Sequence, residues 1–201
     1  MLRLERARSV LGEKLSPEAF TAALELKLSV SVARLADVGR VTQLINKTNQ
    51  FNLTTVRRTQ EEVLALLGSP GWRVYALRVS DRFGEYGLVG VAILQVGEHR
   101  RWRLDTLLMS CRVLGRSVET SFLAALAKYA LAEGAEICDA AFIPTAKNAP
   151  AANFLQAHGF TALGGHEWQA KFADVCSVPD SVGLILDPSH AEPAQQPVAR
   201  S

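Results

Sequence analysis

Three long runs of apolar and β-branched residues follow one another in the middle of the chain. They are WRVYALRVS at 72–80, YGLVGVAILQV at 86–96 and RWRLDTLLMS at 101–110. Residues 81–85 between the first two runs are charged and contain a glycine, as is typical of a tight turn. We therefore expect a hairpin of antiparallel strands, with the third run as a further strand. A chain with three such strands in succession must build its core on a sheet.

Helical patterns lie before and after these strands. Apolar residues recur on one helical face, and helix-start signals such as Thr59 followed by Glu62 precede them. The patterns predict helices at 34–47, 59–67, 118–133 and 148–158, and additional strands at 26–32, 136–145 and 160–172. The resulting order, β-α-α-β-β-β-α-β-α-β, predicts an α/β (α+β) fold with a mixed, mainly antiparallel sheet flanked by helices.

The length of the chain suits one domain. We predict an N-terminal helix and linker at 1–24 and the α/β domain at 25–186. The segment 187–201 is rich in proline, alanine and polar residues, and it is predicted to be a disordered tail.

The net charge and the cysteine spacing argue against several classes of protein, including nucleic-acid-binding, disulfide-rich and zinc-binding proteins. A formal net charge of +2 is too small to indicate nucleic-acid binding, and the basic run HRRWR at 99–103 is interpreted as a solvated loop or strand start. No apolar run suits a membrane span and the N-terminus does not resemble a secretory signal, so we predict a cytoplasmic protein without nucleic-acid or membrane partners. Cys111, Cys138 and Cys176 lack the spacing of a disulfide framework or a zinc site. The histidines show no ligand spacing either, so no metal is predicted.

The residues SCRVLGRS at 110–117 connect the third strand of this group to the following helix. A turn that enters a helix presents unpaired backbone N–H groups, and the helix dipole favours an anion there. Gly115 lets the backbone approach a ligand closely, while Arg112 and Arg116 add charge that suits a pyrophosphate. The alternative is a plain strand-to-helix connection with solvated arginines, and the residues of the turn leave both interpretations open.

In this strand order the turn resembles the R/Q-x-x-G-x-G/A motif of the GNAT superfamily of acyl-CoA N-acyltransferases, with Ser117 in place of the last small residue. A second stretch, with Asn148, then Asn153-Phe154-Leu155 and then Gly159-Phe160, is similar to the family's N-x-x-A-x-x-F-Y-x-x-x-G-F. The resemblance implies a GNAT-like fold and a phosphopantetheine thioester, acyl-CoA or acyl-carrier protein, as the donor. The residues that it assigns to the donor are Met109, Cys111, Arg112, Val113, Leu114, Gly115, Arg116, Ser117, Asn148 and Asn153.

Longer stretches resemble the C-terminal domain of FkbH-like proteins: INKTNQFNLTT at 45–55, DRFGEYGLVGVAIL at 81–94, LDTLLMSCRVLGRSVE at 104–119 and PTAKN at 144–148. This resemblance covers residues 24–172. Members of that family make glyceryl-acyl-carrier-protein for polyketide and tetronate biosynthesis, and they carry an N-terminal phosphatase domain of the haloacid-dehalogenase (HAD) type with a D-x-D motif. Nothing of that kind precedes Leu26. The resemblance therefore implies either an excised or split C-terminal domain that works beside a separate HAD-type partner, or a stand-alone acyltransferase descended from such a domain.

GNAT catalysis relies mainly on positioning: a backbone N–H of the fourth strand polarises the thioester carbonyl, and the acceptor attacks it directly. Asp105 on that strand is the predicted proton acceptor, and the alternative is a carboxylate neutralised by Arg103 or loop amides. Cys111, near arginines and a helix start, is the predicted carrier of a covalent acyl group, and the alternative is a small buried hydrophobe. Leu155 stands where many GNAT enzymes have a tyrosine that protonates the departing thiolate.

A polar cluster follows the first helix of the predicted domain. GNAT acceptor sites are walled by this loop, so the resemblance implies that the acceptor is bound by Asn49, Gln50, Phe51, Asn52 and Thr54. The alternative is an Asx-rich loop that bonds its own backbone. Asn148 and Asn153 likewise have an alternative interpretation as helix-cap and helix-surface residues.

These resemblances together predict an acyltransferase of polyketide-type biosynthesis. It would move an acyl group, glyceryl or acetyl among the options, from a phosphopantetheine thioester to a small-molecule or carrier-protein acceptor. The alternative is a non-catalytic GNAT-like module that docks a carrier protein for a separate HAD-type phosphatase or glyceryltransferase. The oligomeric state is left open, with a homodimer as one option.

Overall fold

The computed structural model describes residues 16–175, 177–179 and 182–187. Cys176, residues 1–15 of the predicted N-terminal segment and residues 188–201 of the predicted tail lie outside the described residues. Leu24, which ends the predicted linker, is fully buried in the core. Within the described part of the chain, no helix is both long and apolar enough to cross a membrane.

The elements are numbered in chain order. The strands are β1 (Lys27–Val32), β2 (Phe51–Asn52), β3 (Trp72–Asp81), β4 (Gly84–Val96), β5 (Arg101–Met109), β6 (Ile137–Ala141), β7 (Thr161–Gly164), β8 (Glu167–Lys171) and β9 (Gly183–Leu186). The α-helices are α1 (Pro17–Leu24), α2 (Val38–Lys47), α3 (Gln60–Leu67), α4 (Val118–Ala132) and α5 (Phe154–Ala157). Single 3-10 turns lie at Leu35–Asp37, Cys111–Val113, Ala149–Ala151 and Phe172–Asp174.

These strands form one sheet with the order β7-β8-β6-β5-β4-β3-β1-β9, and β2 pairs with β5 beside this path. The pairs β1–β9 and β5–β6 are parallel, and the other pairs are antiparallel. The predicted fold class, a mixed and mainly antiparallel sheet flanked by helices, is therefore confirmed. The predicted start of α3 is also confirmed, since Thr59 and Glu62 form reciprocal capping bonds.

Two parts of the sheet differ from the predicted strand order. The residues 160–172, predicted as one strand region, form the hairpin β7–β8 because Gly164 (φ +108°) and Gly165 (φ +59°) turn the chain between them. The strands β2 and β9 are additional. They contain two and four residues, which is too short for a hydrophobic alternation to reveal them.

The sheet separates two apolar layers. Helix α4 covers one face, where Tyr129 stacks on Tyr75 with ring centroids 5.2 Å apart and donates its hydroxyl hydrogen to the carbonyl of Val30 at 2.7 Å. Helices α2 and α3 cover part of the other face. The buried residues of α2 and α3 are Val38, Val41, Leu44, Ile45, Val63 and Leu66.

Strand β5 contains a β-bulge at Asp105. Along the pairing with β4, Ile93 faces Thr106 and Leu94 faces Leu104, so Asp105 is an extra residue that faces no residue of β4. A bulge bends its strand and interrupts the ladder. The parallel pairing of β5 with β6 also stops at Leu104. The second half of β5 therefore diverges from β6.

The bulge also changes which residues of β5 face α4. Before it, the even-numbered Trp102 and Leu104 contribute to the layer under α4, whereas after it the odd-numbered Leu107 and Met109 do. The edge that β6 leaves free is paired with β2. Residues 51–53 thus fill the gap that the bulge opens in the sheet.

Gly90 on β4 lies in a tightly packed region, and a substitution there tests this packing. A Cβ at Gly90 would lie 2.9 Å from Cγ of Met109 and 3.0 Å from Cδ2 of Leu77. We expect Gly90→Ala to lower the free energy of unfolding by about 1–3 kcal/mol, because overpacking displaces neighbouring side chains or the backbone. Denaturant unfolding measures the change.

The control for this variant is Gly39→Ala on the exposed side of α2. The nearest atom to its added Cβ is Nε2 of Gln60 at 3.7 Å, and alanine favours a helix more than glycine does. We expect Gly39→Ala to leave the free energy of unfolding unchanged or to raise it by up to about 1 kcal/mol. Equal stability of the two variants would contradict the packing around Gly90.

Candidate functional site

The turn at 110–117 enters α4 with an uncommon backbone conformation. Both Gly115 (φ +74°) and Ser117 (φ +58°) adopt positive φ. Glycine does so without penalty, whereas a residue with a side chain is strained there by about 1–3 kcal/mol. Ser117 thus occupies, at an energetic cost, the last position of the motif that the turn resembles.

A carboxylate of the protein lies against this turn. The backbone N–H of Gly115 donates to Oε1 of Glu119 at 2.6 Å. Because Glu119 is in the first turn of α4, its charge also interacts favourably with the helix dipole. The turn therefore does hold an anion, and in this conformation that anion is a side chain of its own helix.

The two arginines of the turn point to different places. Arg112 is exposed, with Nε 3.4 Å from Oγ of Ser110. Arg116 donates from Nη1 to the hydroxyl of Tyr86 at 2.8 Å, and its guanidinium lies 5.6 Å from the ring centre of Phe20. Arg116 is thus held against the β3–β4 hairpin and α1, which leaves Arg112 as the solvent-facing cation of the turn.

A pocket of about 350 Å³ lies between the start of α4 and helix α5. Its lining residues are Phe51, Ser117, Glu119, Thr120, Pro150, Asn153, Phe154, Ala157 and His158. Of the residues predicted from sequence to bind the donor, Ser117 and Asn153 line this pocket, and Asn153 is exposed. The pocket therefore joins the predicted turn to the second predicted motif.

His158 lies on the wall of this pocket and connects α5 to α4. Its Nδ1 is 2.7 Å from the carbonyl of Phe154, and its Nε2 is 2.8 Å from the hydroxyl of Thr120. A carbonyl only accepts, so Nδ1 carries a proton, and in the neutral imidazole Nε2 accepts from Thr120. No signal in the sequence indicates this contact, because no ligand spacing marks a lone histidine.

Residues 51–54 lie along the edge of β5 opposite β4. Phe51 and Asn52 pair with Met109 and Leu108, and Leu53 donates its N–H to the carbonyl of Leu107 at 3.1 Å. On its other side, the carbonyl of Leu53 accepts from the N–H of residue 143 at 2.8 Å. This short segment therefore bridges the diverging ends of β5 and the chain that follows β6.

Two buried asparagines fix this segment. The side-chain amide of Asn148 donates to the carbonyls of Asn52 and Ile143 at 3.0 and 2.9 Å, and its oxygen accepts from the N–H of Thr145 at 2.7 Å. The side chain of Asn52 bonds the backbone of Thr48 and Thr55. Both asparagines are fully buried, so in this conformation their side chains bond backbone groups of the protein interior.

The remaining residues predicted to bind donor or acceptor are placed as follows. Asn49 accepts a hydrogen bond from Arg57, Gln50 is exposed, and Thr54 donates to the carbonyl of Asp105 at 2.9 Å. Leu114 is half-buried. The side chains of Phe51, Met109 and Val113 are buried in the main apolar layer. Their roles in binding a ligand stay predictions.

Asp105 stands at the bulge and forms an ion pair with Arg58 at 2.7 Å. It also accepts from the hydroxyl of Thr106 at 2.7 Å. The interpretation of a neutralised carboxylate named the wrong cation, because Arg103 instead forms a double hydrogen bond with Glu167. That partner raises the pKa of Arg103.

The two predicted catalytic residues are not brought together. At roughly 3.3 Å per residue, the strand alone puts roughly 13 Å between Asp105 and Met109, and Cys111 lies beyond Met109. Cys111 is exposed, which contradicts its interpretation as a buried hydrophobe. Cys138 is the buried one, and burial together with the nearby charge of Asp139 raises its pKa to about 12.

Comparison with known proteins places this geometry in a fold family. No protein-family model and no curated protein matches the sequence. The N-acetyltransferase PaiA from Thermoplasma acidophilum, solved in complex with coenzyme A, matches 72% of this chain and 98% of its own at a TM-score of 0.56 and 11% identity. The chain has the fold of the GNAT N-acetyltransferases.

Two further structures show the same likeness. The spermidine N-acetyltransferase from Vibrio cholerae, in complex with coenzyme A and spermine, has a TM-score of 0.54 at 13% identity over 73% of this chain and 96% of its own. The ribosomal-protein-S18-alanine N-acetyltransferase from Escherichia coli has a TM-score of 0.53 at 12% identity over 72% and 94%. At such identity the likeness concerns the fold.

Three structural features of the candidate site were missed from sequence. The pairing of residues 51–53 with β5 left no pattern, the Glu119–Gly115 bond depends on the positive φ of the turn, and the Thr120–His158 contact joins two helices far apart in sequence. Among the described residues, no group of three or more His, Cys, Asp or Glu side chains is arranged to hold a metal ion.

Asn148 provides a test of how the 51–54 segment is held. Truncation in Asn148→Ala leaves the carbonyls of Asn52 and Ile143 without their donor in the interior. We expect the free energy of unfolding to fall by about 2–3 kcal/mol, since an unsatisfied buried polar group is costly. The control, Asn153→Ala at an exposed position, should change it by less than about 0.5 kcal/mol. An equal, small effect of both variants in thermal or denaturant unfolding would contradict this role.

Proposed function

We propose that this protein is an acyltransferase whose donor is a phosphopantetheine thioester, acyl-CoA or acyl-carrier protein. The observation that carries the proposal is the pocket of about 350 Å³ between the start of α4 and α5. It opens at the turn whose backbone already holds a carboxylate, as expected of an anion site at a helix start. Two of the structures that share the fold contain coenzyme A, which supports a donor of this kind.

The turn supplies the charge and the amides for the donor phosphates. Arg112 is the exposed cation, and Gly115 offers a backbone N–H that a phosphate would take over from Glu119. The Glu119 side chain is half-buried and belongs to the pocket wall, so it must rotate away when a polyanion binds. Binding therefore exchanges one anion for another at the same amide.

Cys111 is the proposed nucleophile, because it is an exposed thiol within this turn. In a transfer through Cys111, its sulfur attacks the thioester carbonyl, a new thioester forms on the cysteine, and the donor thiol leaves with the proton that Cys111 loses. A second attack by the acceptor then regenerates the free cysteine. Asp105 is the proposed proton acceptor for direct transfer, and its bond to Arg58 would orient the carboxylate.

The resemblance to FkbH-like proteins supports a finer proposal. The acyl group is then glyceryl or acetyl, the acceptor a carrier protein or small molecule of polyketide-type biosynthesis, and the partner a separate HAD-type phosphatase. The segment 49–54, which the resemblance assigns to the acceptor, borders the pocket through Phe51. A homodimer and a cytoplasmic location stay predictions.

Donor binding is tested by placing a charge in the pocket. Ala157 and its neighbour Gln156 on α5 are both exposed, but of the two only Ala157 lines the pocket. We expect Ala157→Glu to weaken coenzyme A binding at least about tenfold in a calorimetric titration, because the new carboxylate repels the phosphates and fills the space.

The matched control is Gln156→Glu, which adds the same charge one position away. It should bind coenzyme A within about twofold of the unaltered protein. If both variants bind coenzyme A as the unaltered protein does, or if none of the three binds it, the pocket is not the donor site.

A second function, the non-catalytic docking module, is favoured by one observation. Leu155, at the position of the GNAT tyrosine, is buried in the core and offers no proton to a departing thiolate. A module of this kind would bind the pantetheine arm of a carrier protein without turnover.

Turnover of the purified protein separates the two functions. Intact-mass spectrometry after incubation with acetyl-CoA or with glyceryl-loaded carrier protein should show an acyl adduct on the protein that is lost in Cys111→Ala. Measurement of released thiol detects direct transfer as well. Donor binding with neither adduct nor thiol release would contradict the enzyme and support the docking module.

A further inference from the structure

The edge of β5 that an acyl donor needs is occupied by the protein itself. The GNAT resemblance implies that a backbone N–H of the strand at 101–110, which is β5, polarises the thioester carbonyl. The pantetheine arm would then lie along the edge of β5 beyond the Asp105 bulge. That edge is paired with Phe51 and Asn52, and the carbonyl of Leu107 accepts from Leu53. Donor arm and segment therefore require the same backbone groups.

Phe51 connects this edge to the donor pocket. Its backbone pairs with Met109 on β5, whereas its ring lines the pocket and contacts Phe154 edge-on, with ring centroids 5.1 Å apart. The ring is almost completely buried. An arm that extended from the pocket towards β5 would meet Phe51 first.

The segment is held by specific bonds. Asn148 donates to the carbonyl of Asn52, and the Thr54 hydroxyl donates to the carbonyl of Asp105 at 2.9 Å. Thr54 has 8% of its surface exposed, so its hydroxyl has little access to water in place of this bond. These bonds favour the position in which the segment is paired with β5, which we call the closed position.

One residue of the same segment opposes closure. Thr55 has φ +55°, a left-handed conformation that is a genuine outlier for a β-branched residue. Residues in such conformations persist only where the surroundings impose them, and they are found at switch regions. The closed position thus contains both retaining bonds and strain that release would relieve.

We propose that residues 51–55 form an internal latch on β5, which the pantetheine arm of the donor must displace before acyl transfer. The inference rests on the proposed function, because it assumes a donor of this chemistry. In the closed state the pocket admits the nucleotide part of coenzyme A, and the strand edge excludes the arm. Displacement of Phe51–Leu53 would open the passage from the pocket to β5 and expose the acceptor side of the bulge.

The latch predicts opposite effects of changes at two neighbouring threonines. Apparent affinity for a ligand that needs the open state scales with the population of that state. Thr54→Val removes the bond to Asp105 without changing the shape of the side chain, so it should tighten coenzyme A binding about threefold to tenfold. Thr55→Gly removes the strain of the closed state and should weaken coenzyme A binding about threefold.

Adenosine 3′,5′-bisphosphate is the control ligand, since it has the nucleotide of coenzyme A and lacks the arm. Calorimetric titrations of the full chain and both variants with the two ligands form the experiment. We expect the affinity for the bisphosphate to stay within about twofold across all three proteins. Opposite shifts confined to coenzyme A would support the latch.

Two other results would overturn the latch, and they show whether the latch alone or the donor site as well is wrong. If both ligands bind but neither variant changes the ratio of their affinities, the segment does not compete with the arm, while the donor site stands. If neither ligand binds any of the proteins, the donor site fails, and the latch fails with it. Circular dichroism confirms that each variant is folded. If Thr54→Val is not folded, Thr55→Gly alone still discriminates between these results.

Discussion

The extra residue in β5 is the constraint on which the rest of the site depends. At Asp105 the ladder with β4 skips one position, and the pairing with β6 stops one residue earlier. A bulge of this kind reverses the inward and outward faces of the strand, yet the layer beneath α4 stays continuous because Leu107 and Met109 take over from Trp102 and Leu104. The sheet therefore opens on one edge without losing its core.

Several parts of the candidate site meet at this opening. Residues 51–54 fill it with backbone bonds, Asn148 fixes their position from the loop after β6, and the pocket at the start of α4 reaches the segment through Phe51. The electrostatics follow the same pattern, since Glu119 occupies the amide of the turn and Arg58 neutralises Asp105 at the bulge. In this conformation, internal groups thus satisfy the positions at which a donor would bind.

The sequence was sufficient to predict the elements that have a local signal, such as a hydrophobic period, a capping residue or a glycine. The three long central strands, the capped helix α3 and the glycine turn before α4 were predictable because periodicity, capping residues and positive-φ glycines have local causes. The closure of the β5 edge was not predictable, since a two-residue strand shows no alternation and Asn52 and Asn148 lie 96 positions apart. The alternative interpretation of Asp105 named Arg103, a neighbour in sequence, or loop amides as its partners, whereas the tertiary fold supplies Arg58.

Hydrogen exchange with mass-spectrometric readout tests the central claim most directly, because it reports the backbone amides of the segment and the turn in the same sample. Exchange would be followed with and without saturating acetyl-CoA. We predict slower exchange in residues 115–120, which the proposal assigns to the donor phosphates, and faster exchange in residues 51–55, which the latch requires to leave β5. Slower exchange at 115–120 with unchanged or greater protection at 51–55 would contradict this prediction, because the donor would then be bound with the edge of β5 still occupied.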